Sequence, residues 1–285
     1  MIDFIPEQAT YPFTSRWFDS SVGQMHYLDE GSGPCLLFCH GAPTWSYLYR
    51  TVITGLRDHY RCIAVDYPGF GLSARPDGFG YTVAEQTAVL GEFVDALGLH
   101  NVVIVGQDWG GPIGLGVGVR RAARIRGIVL SNTAFWPIDR WPNRAFSAVM
   151  GSRLMRRRIL DGNFLVEKFL LGPAGPDLTE AEANHYRSVQ PTPQARRALV
   201  VMPREIRAAR PLLAQLDVDV RRQLADKPAV AVWGMRDKVF PPSMCLPRLR
   251  EAFTDLEVIE VGQAGHYVPE DDPDQLITAI RRRFP

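Results

Sequence analysis

Five short stretches of the chain are apolar at nearly every position: CLLFCH at 35–40, RCIAVD at 61–66, VVIVGQ at Val102–Gln107, GIVLSN at 127–132 and AVAVWG at Ala229–Gly234. A sixth, EVIEVG at 257–262, is more amphipathic. Runs of strand length that are apolar on both faces predict a parallel sheet covered by helices on each side. Before them, residues 16–19 and 23–28 alternate around Ser20, Ser21 and Val22, which predicts an antiparallel hairpin near a sheet edge. The spacers read as helices. TVAEQTAVLGEFVDAL at 82–97 opens on a Thr cap with an acidic first turn and ends near Gly98. Residues 44–56 and 112–122 fill two further gaps. Strand and helix alternating from residue 35 onward predict an α/β, mostly parallel, doubly wound sheet.

One interval breaks that rhythm. Between Asn132 and Ala229 lie 96 residues with no convincing strand, and helical pieces are predicted at 152–160, 163–170, 178–189 and 194–201. The expected division is a core of residues 1–134 and 214–285, with a helical cap of residues 135–213 inserted after strand six. An insertion at the C-terminal edge of a parallel sheet sits over the place where open α/β sheets bind ligands.

Composition narrows the field. With 285 residues, 46% hydrophobic and 22% charged, the chain suits one large soluble core. A formal net charge of +1 gives no reason to expect nucleic acid or an anionic membrane as partner. Arg153, Arg156, Arg157 and Arg158 read as a solvated helix face, with a partner-docking patch as the alternative. Cys35, Cys39, Cys62 and Cys245 have neither metal spacing nor disulfide density. The opening MIDFIPEQATYPF lacks a basic start and an apolar run, so a cytoplasmic location is expected.

The chemistry centres on Val102–Gln107 and the turn at its end. Gly106-Gln107-Asp108-Trp109-Gly110 is a Gly-x-nucleophile-x-Gly elbow with a carboxylate where esterases carry serine. On this fold the partners come in the order nucleophile, acid, histidine. Asp237 comes just past 229–234, and His266 just past 257–262 within AGHYVPED. Each candidate follows a strand's C-terminal end, and three unrelated turn residues would not be expected to reproduce that order. His26, His59, His100 and His185 show no partner at a comparable position. His40-Gly41 opens HGAPTWSYLYR, where the amides of Ala42 and Trp109 would form an oxyanion hole. A carboxylate needs no deprotonation to displace a leaving group from an sp3 carbon, and the histidine then activates water to hydrolyse the ester.

With HGAPTWSYLYR, DYPGFGLSARP, GQDWGG, WGMRDKVF and AGHYVPEDDP in hand, the chain resembles the haloalkane dehalogenases along nearly its whole length. The resemblance implies an α/β-hydrolase fold with a helical cap, no metal and no cofactor. It implies a small halogenated hydrocarbon as substrate, with alcohol, halide and a proton as products. It makes Asp108 the nucleophile, His266 the base and Asp237 the acid, with the Trp109 indole N–H donating to the departing halide. Many members have Asn where this chain has Ala42, and that side chain is their second halide donor. Others draw it from a cap tryptophan, for which Trp136 and Trp141 are the candidates. Activity weakened by Ala42 is therefore expected. Two alternatives stand beside this reading: an epoxide hydrolase using Tyr186, and a hydrolase-fold ligand-binding protein with impaired catalysis. Trp109 in place of the Arg of fluoroacetate dehalogenases argues against a carboxylate substrate.

Overall fold

The computed structural model describes residues 3–285. Strands β1 (Arg16–Ser20) and β2 (Gly23–Glu30) pair as the hairpin, its link shortened to Ser21-Val22 because Ser20 pairs with Gly23. The long apolar runs become β3 (Cys35–Cys39), β4 (Arg61–Val65), β5 (Val102–Gln107), β6 (Ile125–Ser131) and β7 (Ala229–Gly234), and the amphipathic run becomes β8 (Leu256–Val261). They form one eight-stranded sheet in the order β1-β2-β4-β3-β5-β6-β7-β8. Strands β3 to β8 are mutually parallel, and β2 runs antiparallel to both neighbours. Every residue of β3, β5 and β7 is buried, as their unbroken apolar sequence requires. β8 lies at an edge and is half-buried, which accounts for its two glutamates. From β3 the chain crosses to β4 on one side, and from β4 it returns past β3 to β5 on the other. The C-terminal ends of β3 and β5 thus flank a topological switch point, where such sheets bind ligands.

The first three helices are α1 (Arg50–Leu56), preceded by a 3₁₀ turn at Ser46–Tyr49, α2 (Val83–Ala96) and α3 (Gly110–Val119). Thr82 and Glu85 close a reciprocal capping box on α2, fixing its start where the Thr signal placed it. Between β6 and β7 the described residues form no strand. They form α4 (Trp141–Met150), α5 (Arg153–Gly162), a π-helical turn at Val166–Leu170, α6 (Glu180–Ser188), α7 (Arg197–Ala208) and α8 (Arg210–Gln223). Ser152 caps α5, and Thr179 with Glu182 boxes the start of α6. Two differences from the sequence pattern have physical causes. α4 carries no inward apolar stripe, since only Ser147 and Met150 of it are buried, so periodicity did not mark it. α7 continues through Pro203, which in sequence reads as a stop. The chain closes with α9 (Pro242–Ala252), α10 (Val268–Asp271) and α11 (Pro273–Arg283). The four cysteines are buried free thiols. Among the described residues no helix is long and apolar enough to cross a membrane.

Candidate active site

β5 ends in the elbow. Asp108 sits at φ +52°, in the left-handed region that a non-glycine residue adopts only under local constraint. Three bonds hold it there: its N–H donates to Asn132 O at 3.1 Å, and its carbonyl accepts from Gly111 N at 3.1 Å and Thr133 Oγ1 at 2.5 Å. The flanking glycines are steric requirements. A Cβ on Gly110 would stand 1.8 Å from Cys39 O, and one on Gly41 would stand 2.3 Å from the Asp108 Cβ. The close approach of Gly41 brings the loop after β3 against Asp108, and Ala42 N–H donates to Asp108 Oδ1 at 2.9 Å. Oδ1 is thereby held by an amide, and Oδ2 is the oxygen beside His266.

His266 follows β8. Its Nε2 lies 3.5 Å from Asp108 Oδ2, and its Nδ1 lies 3.0 Å from Asp237 Oδ2. Asp237 sits in the loop after β7, closed by the Trp233 indole, which donates to Phe240 O at 3.1 Å. Its carboxylate also accepts from Asn132 Nδ2 at 2.7 Å and from Val239 N at 2.6 Å. Burial opposes charge on Asp237, but His266 and these donors outweigh it and hold the carboxyl below its ordinary range. Burial alone would depress His266; the carboxylates of Asp237 and Asp108 reverse that and raise it to about 10. Gln107 sets a second influence on the ring. Its amide N–H donates to His266 O at 3.0 Å and stands 3.2 Å from Nε2, where it meets an acceptor only when that nitrogen is unprotonated. Asp108 thus favours a proton on Nε2, and Gln107 favours the lone pair. Phe240 stacks on the imidazole at 5.7 Å between centroids.

These groups open onto a cavity of about 810 Å³, lined among others by Ala42, Asp108, Trp109, Ala134, His266 and Tyr267. The structure therefore brings together Asp108, His266, Asp237, Ala42 and Trp109. It does not bring in Trp136. In the segment after β6, Ala134 and Ile138 line the cavity and Trp136 points elsewhere, edge-on to Phe135 at 4.8 Å and beneath the Arg248 guanidinium at 4.9 Å. Trp141, the other candidate, is 79% exposed and also lies outside the lining. The expected role of Trp136 is corrected accordingly.

Tyr186 is likewise outside the lining: it is fully buried and donates its hydroxyl to Glu270, which also accepts from Arg50 at 2.6 Å. That removes the phenol on which epoxide opening was to rest. Sequence reasoning passed over Gln107, Tyr267 and the bridging role of Asn132. The neighbours of Asp108 and His266 in sequence were the available signal for the first two. It also passed over the partner of His26, whose Nδ1 lies 2.8 Å from Asp66 Oδ2. Asp66 follows β4 just as Asp237 follows β7. Among the described residues no cluster of His, Cys, Asp and Glu is arranged to hold a metal ion.

Known proteins match this architecture. A family model described as alpha/beta hydrolase fold matches residues 34–273. Haloalkane dehalogenase 2 of Mycobacterium tuberculosis is 52% identical over 285 residues, 99% of each chain. A cis-3-alkyl-4-alkyloxetan-2-one decarboxylase of Xanthomonas campestris is 30% identical over 300 residues, 95% of this chain and 96% of that one. Among solved structures, haloalkane dehalogenase DbeA from Bradyrhizobium elkani superposes with a TM-score of 0.84 at 26% identity, covering 95% of this chain and 99% of that one.

Proposed function

This chain belongs to the α/β-hydrolase fold family and, within it, to the haloalkane dehalogenases, and from that premise we propose that it hydrolyses carbon–halogen bonds of small halogenated hydrocarbons. The observation that carries the reading is the division of labour on Asp108: Oδ1 is held by the Ala42 amide, and Oδ2 is left beside His266 at the cavity. Oδ2 attacks the sp3 carbon in line with the halogen. The O–C bond forms as the C–X bond breaks, and the halide leaves with the electron pair. The Trp109 indole N–H, in the lining, receives the developing anion.

Water then adds to Cγ of the ester, and one of its protons passes to His266 Nε2. The negative charge of the tetrahedral intermediate falls on Oδ1, where the amides of Ala42 and Trp109 stabilise it. Collapse expels the alcohol, which leaves protonated, restores the Asp108 carboxylate and releases one net proton. Asp237 holds the imidazolium in place meanwhile. Residues 135–213 act as the cap that shields the ester from bulk solvent. No cofactor or metal takes part in any of these steps.

Ala42 supplies its backbone N–H and nothing more. Losing one preorganised side-chain donor to a developing anion costs about 2.7–4 kcal/mol, or ~10²–10³ in rate. With Trp136 and Trp141 both outside the lining, this reading includes slow halide departure, and bromides outpace chlorides because bromide is the better leaving group. The test is halide release from a panel of short brominated and chlorinated alkanes, with Asp108→Asn as control. Folded protein that releases no more bromide than buffer, while binding the same compounds in a thermal-shift assay, would leave a ligand-binding protein as the answer.

A further inference from the structure

The outer surface of α4 and α5 is built the wrong way round for a water-facing helix pair. Both helices pack on α7 or beside it. Ser147 and Met150 are the residues α4 buries, and the Ser147 hydroxyl has no partner among the described residues. Its outward face instead carries Trp141, Ala145, Ala148 and Val149, all exposed, and Leu154 of α5 continues the patch. Trp141 is 79%, Leu154 63% and Val149 59% exposed. The patch runs to the cavity. Phe146 and Phe169 meet edge-on at 5.9 Å, both line the cavity, and both are more than a third exposed, so they form its rim. Contiguous exposed apolar surface of this kind marks an interaction site.

Charge selects the partner. Residues 139–168 hold seven cations, Arg140, Arg144, Arg153, Arg156, Arg157, Arg158 and Lys168, against three carboxylates. None of the seven forms an ion pair among the described residues. Two of the three carboxylates are already paired with arginines elsewhere, Asp139 with Arg210 and Glu167 with Arg187. The chain's formal net charge of +1 conceals this local excess, which is why whole-chain charge spoke against a membrane. A second copy of the chain fits the patch poorly, because a two-fold contact there would bring the two arginine clusters together. An interfacial Trp with aliphatic neighbours, on a segment rich in unpaired arginines, suits anionic phospholipid.

We infer that the α4–α5 face docks on anionic phospholipid membranes, with Trp141, Val149 and Leu154 entering the headgroup boundary and the cavity rim facing the lipid. An apolar substrate dissolved in the bilayer would then reach the cavity without crossing water. The inference stands apart from the dehalogenase reading, because binding is measured without substrate.

The experiment is cosedimentation of the full chain with vesicles of phosphatidylcholine alone and of phosphatidylcholine mixed with phosphatidylglycerol. Binding is expected to the mixed vesicles only. It should fall steeply between ~0.1 M and ~1 M salt, as the screening length drops from about 10 Å to about 3 Å. Replacing Arg153, Arg156, Arg157 and Arg158 by Gln should weaken it by roughly 100-fold or more. Trp141→Ser with Val149→Ser should weaken it by about 10-fold with no change in salt dependence. All six side chains are exposed, so circular dichroism and melting temperature should match the parent. The inference is overturned by absence of binding to the mixed vesicles, by equal binding to neutral ones, or by binding that both variants retain. It is also overturned if light scattering shows a dimer that the Trp141/Val149 variant dissolves, for then the patch is a self-interface.

Discussion

At one side of the sheet, Ser15 Oγ stands 3.0 Å from His26 Nε2, and His26 Nδ1 stands 2.8 Å from Asp66. At the switch point, Asp108 Oδ2 stands 3.5 Å from His266 Nε2, and His266 Nδ1 stands 3.0 Å from Asp237. The first set is the tighter of the two and has the atom types of a serine hydrolase relay, yet its surroundings give it nothing to act on. Asp66 spends its oxygens on the chain itself: Oδ1 accepts from Ser46 N at 2.8 Å and Oδ2 from Leu72 N at 2.9 Å, which ties the turn after β4 to the loop after β3. Ser15 is not on an elbow, and the cavity at Asp108 is lined by none of Ser15, His26 and Asp66. The second set has Asp108 in the left-handed region, an amide 2.9 Å from its Oδ1 and a cavity of about 810 Å³. A histidine between an acid and an oxygen is a hydrogen-bonding solution that folds use structurally. The elbow, the amide and the open side are what turn it to chemistry.

The two histidines are where the sets differ most in what a substitution should do. His266→Phe should lower turnover by about 10⁴-fold and leave an alkyl ester on Asp108, seen as added mass after exposure to a reactive bromide. His26→Phe should leave the rate per folded molecule unchanged and cost about 3–5 kcal/mol in urea unfolding, since Asp66 is then buried without its imidazole partner. An activity loss in the second variant at full folding would make the Ser15 relay part of the machinery. An Asp108 that takes no adduct in the first would remove it from the chemistry.

The same contrast explains what was legible in the chain. Asp108 and Asp237 follow strands that announce themselves by unbroken apolar runs, and His266 follows an amphipathic run still of strand length, so order and position were readable together. Asp66 also follows such a run, but its partner lies on β2, earlier in the chain, and no motif links them. Trp136 was misread because placing an indole requires knowing which way an irregular segment alternates; Ala134 and Ile138 took the cavity side. α4 was unreadable for the opposite reason to β3. Periodicity finds helices by the stripe they bury, and α4 shows its apolar residues to the outside.

The leaving-group side separates the two sets further. Ala42→Asn puts a side-chain amide at a loop position whose N–H already donates to the Asp108 carboxylate. If halide departure limits turnover, kcat should rise by ~10². No gain would mean that another lining group already serves the halide or that hydrolysis of the ester is limiting. The two half-reactions also separate by pH. In the free enzyme two carboxylates outweigh burial and raise His266 to about 10, so near neutrality it is protonated. Alkylation converts Asp108 to a neutral ester and removes one of those charges, which lowers His266 and frees Nε2 to act as base. Bromide burst rate should therefore be flat between pH ~6 and ~9, and alcohol release should climb over the same range. Rapid-quench measurement of both products checks it; parallel profiles would remove His266 from the second half alone.

The smallest expected effect belongs to Tyr267, which follows His266 as Tyr27 follows His26 but, unlike Tyr27, lines the cavity. It is the one phenol in the cavity lining among the described residues, its ring edge-on to His266 at 4.7 Å. Burial, reinforced by the charge of Asp108, pushes its hydroxyl well above the ordinary tyrosine range, so it remains an O–H donor at any working pH. Tyr267→Phe keeps the ring and deletes the donor. If the hydroxyl only fills space, bromide release should change by less than about 2-fold. If it assists the leaving halide, release should fall by roughly 10-fold or more, and Ala42→Asn should restore most of the loss. Rescue of that kind would place the second donor of this chain on the histidine loop instead of the loop after β3.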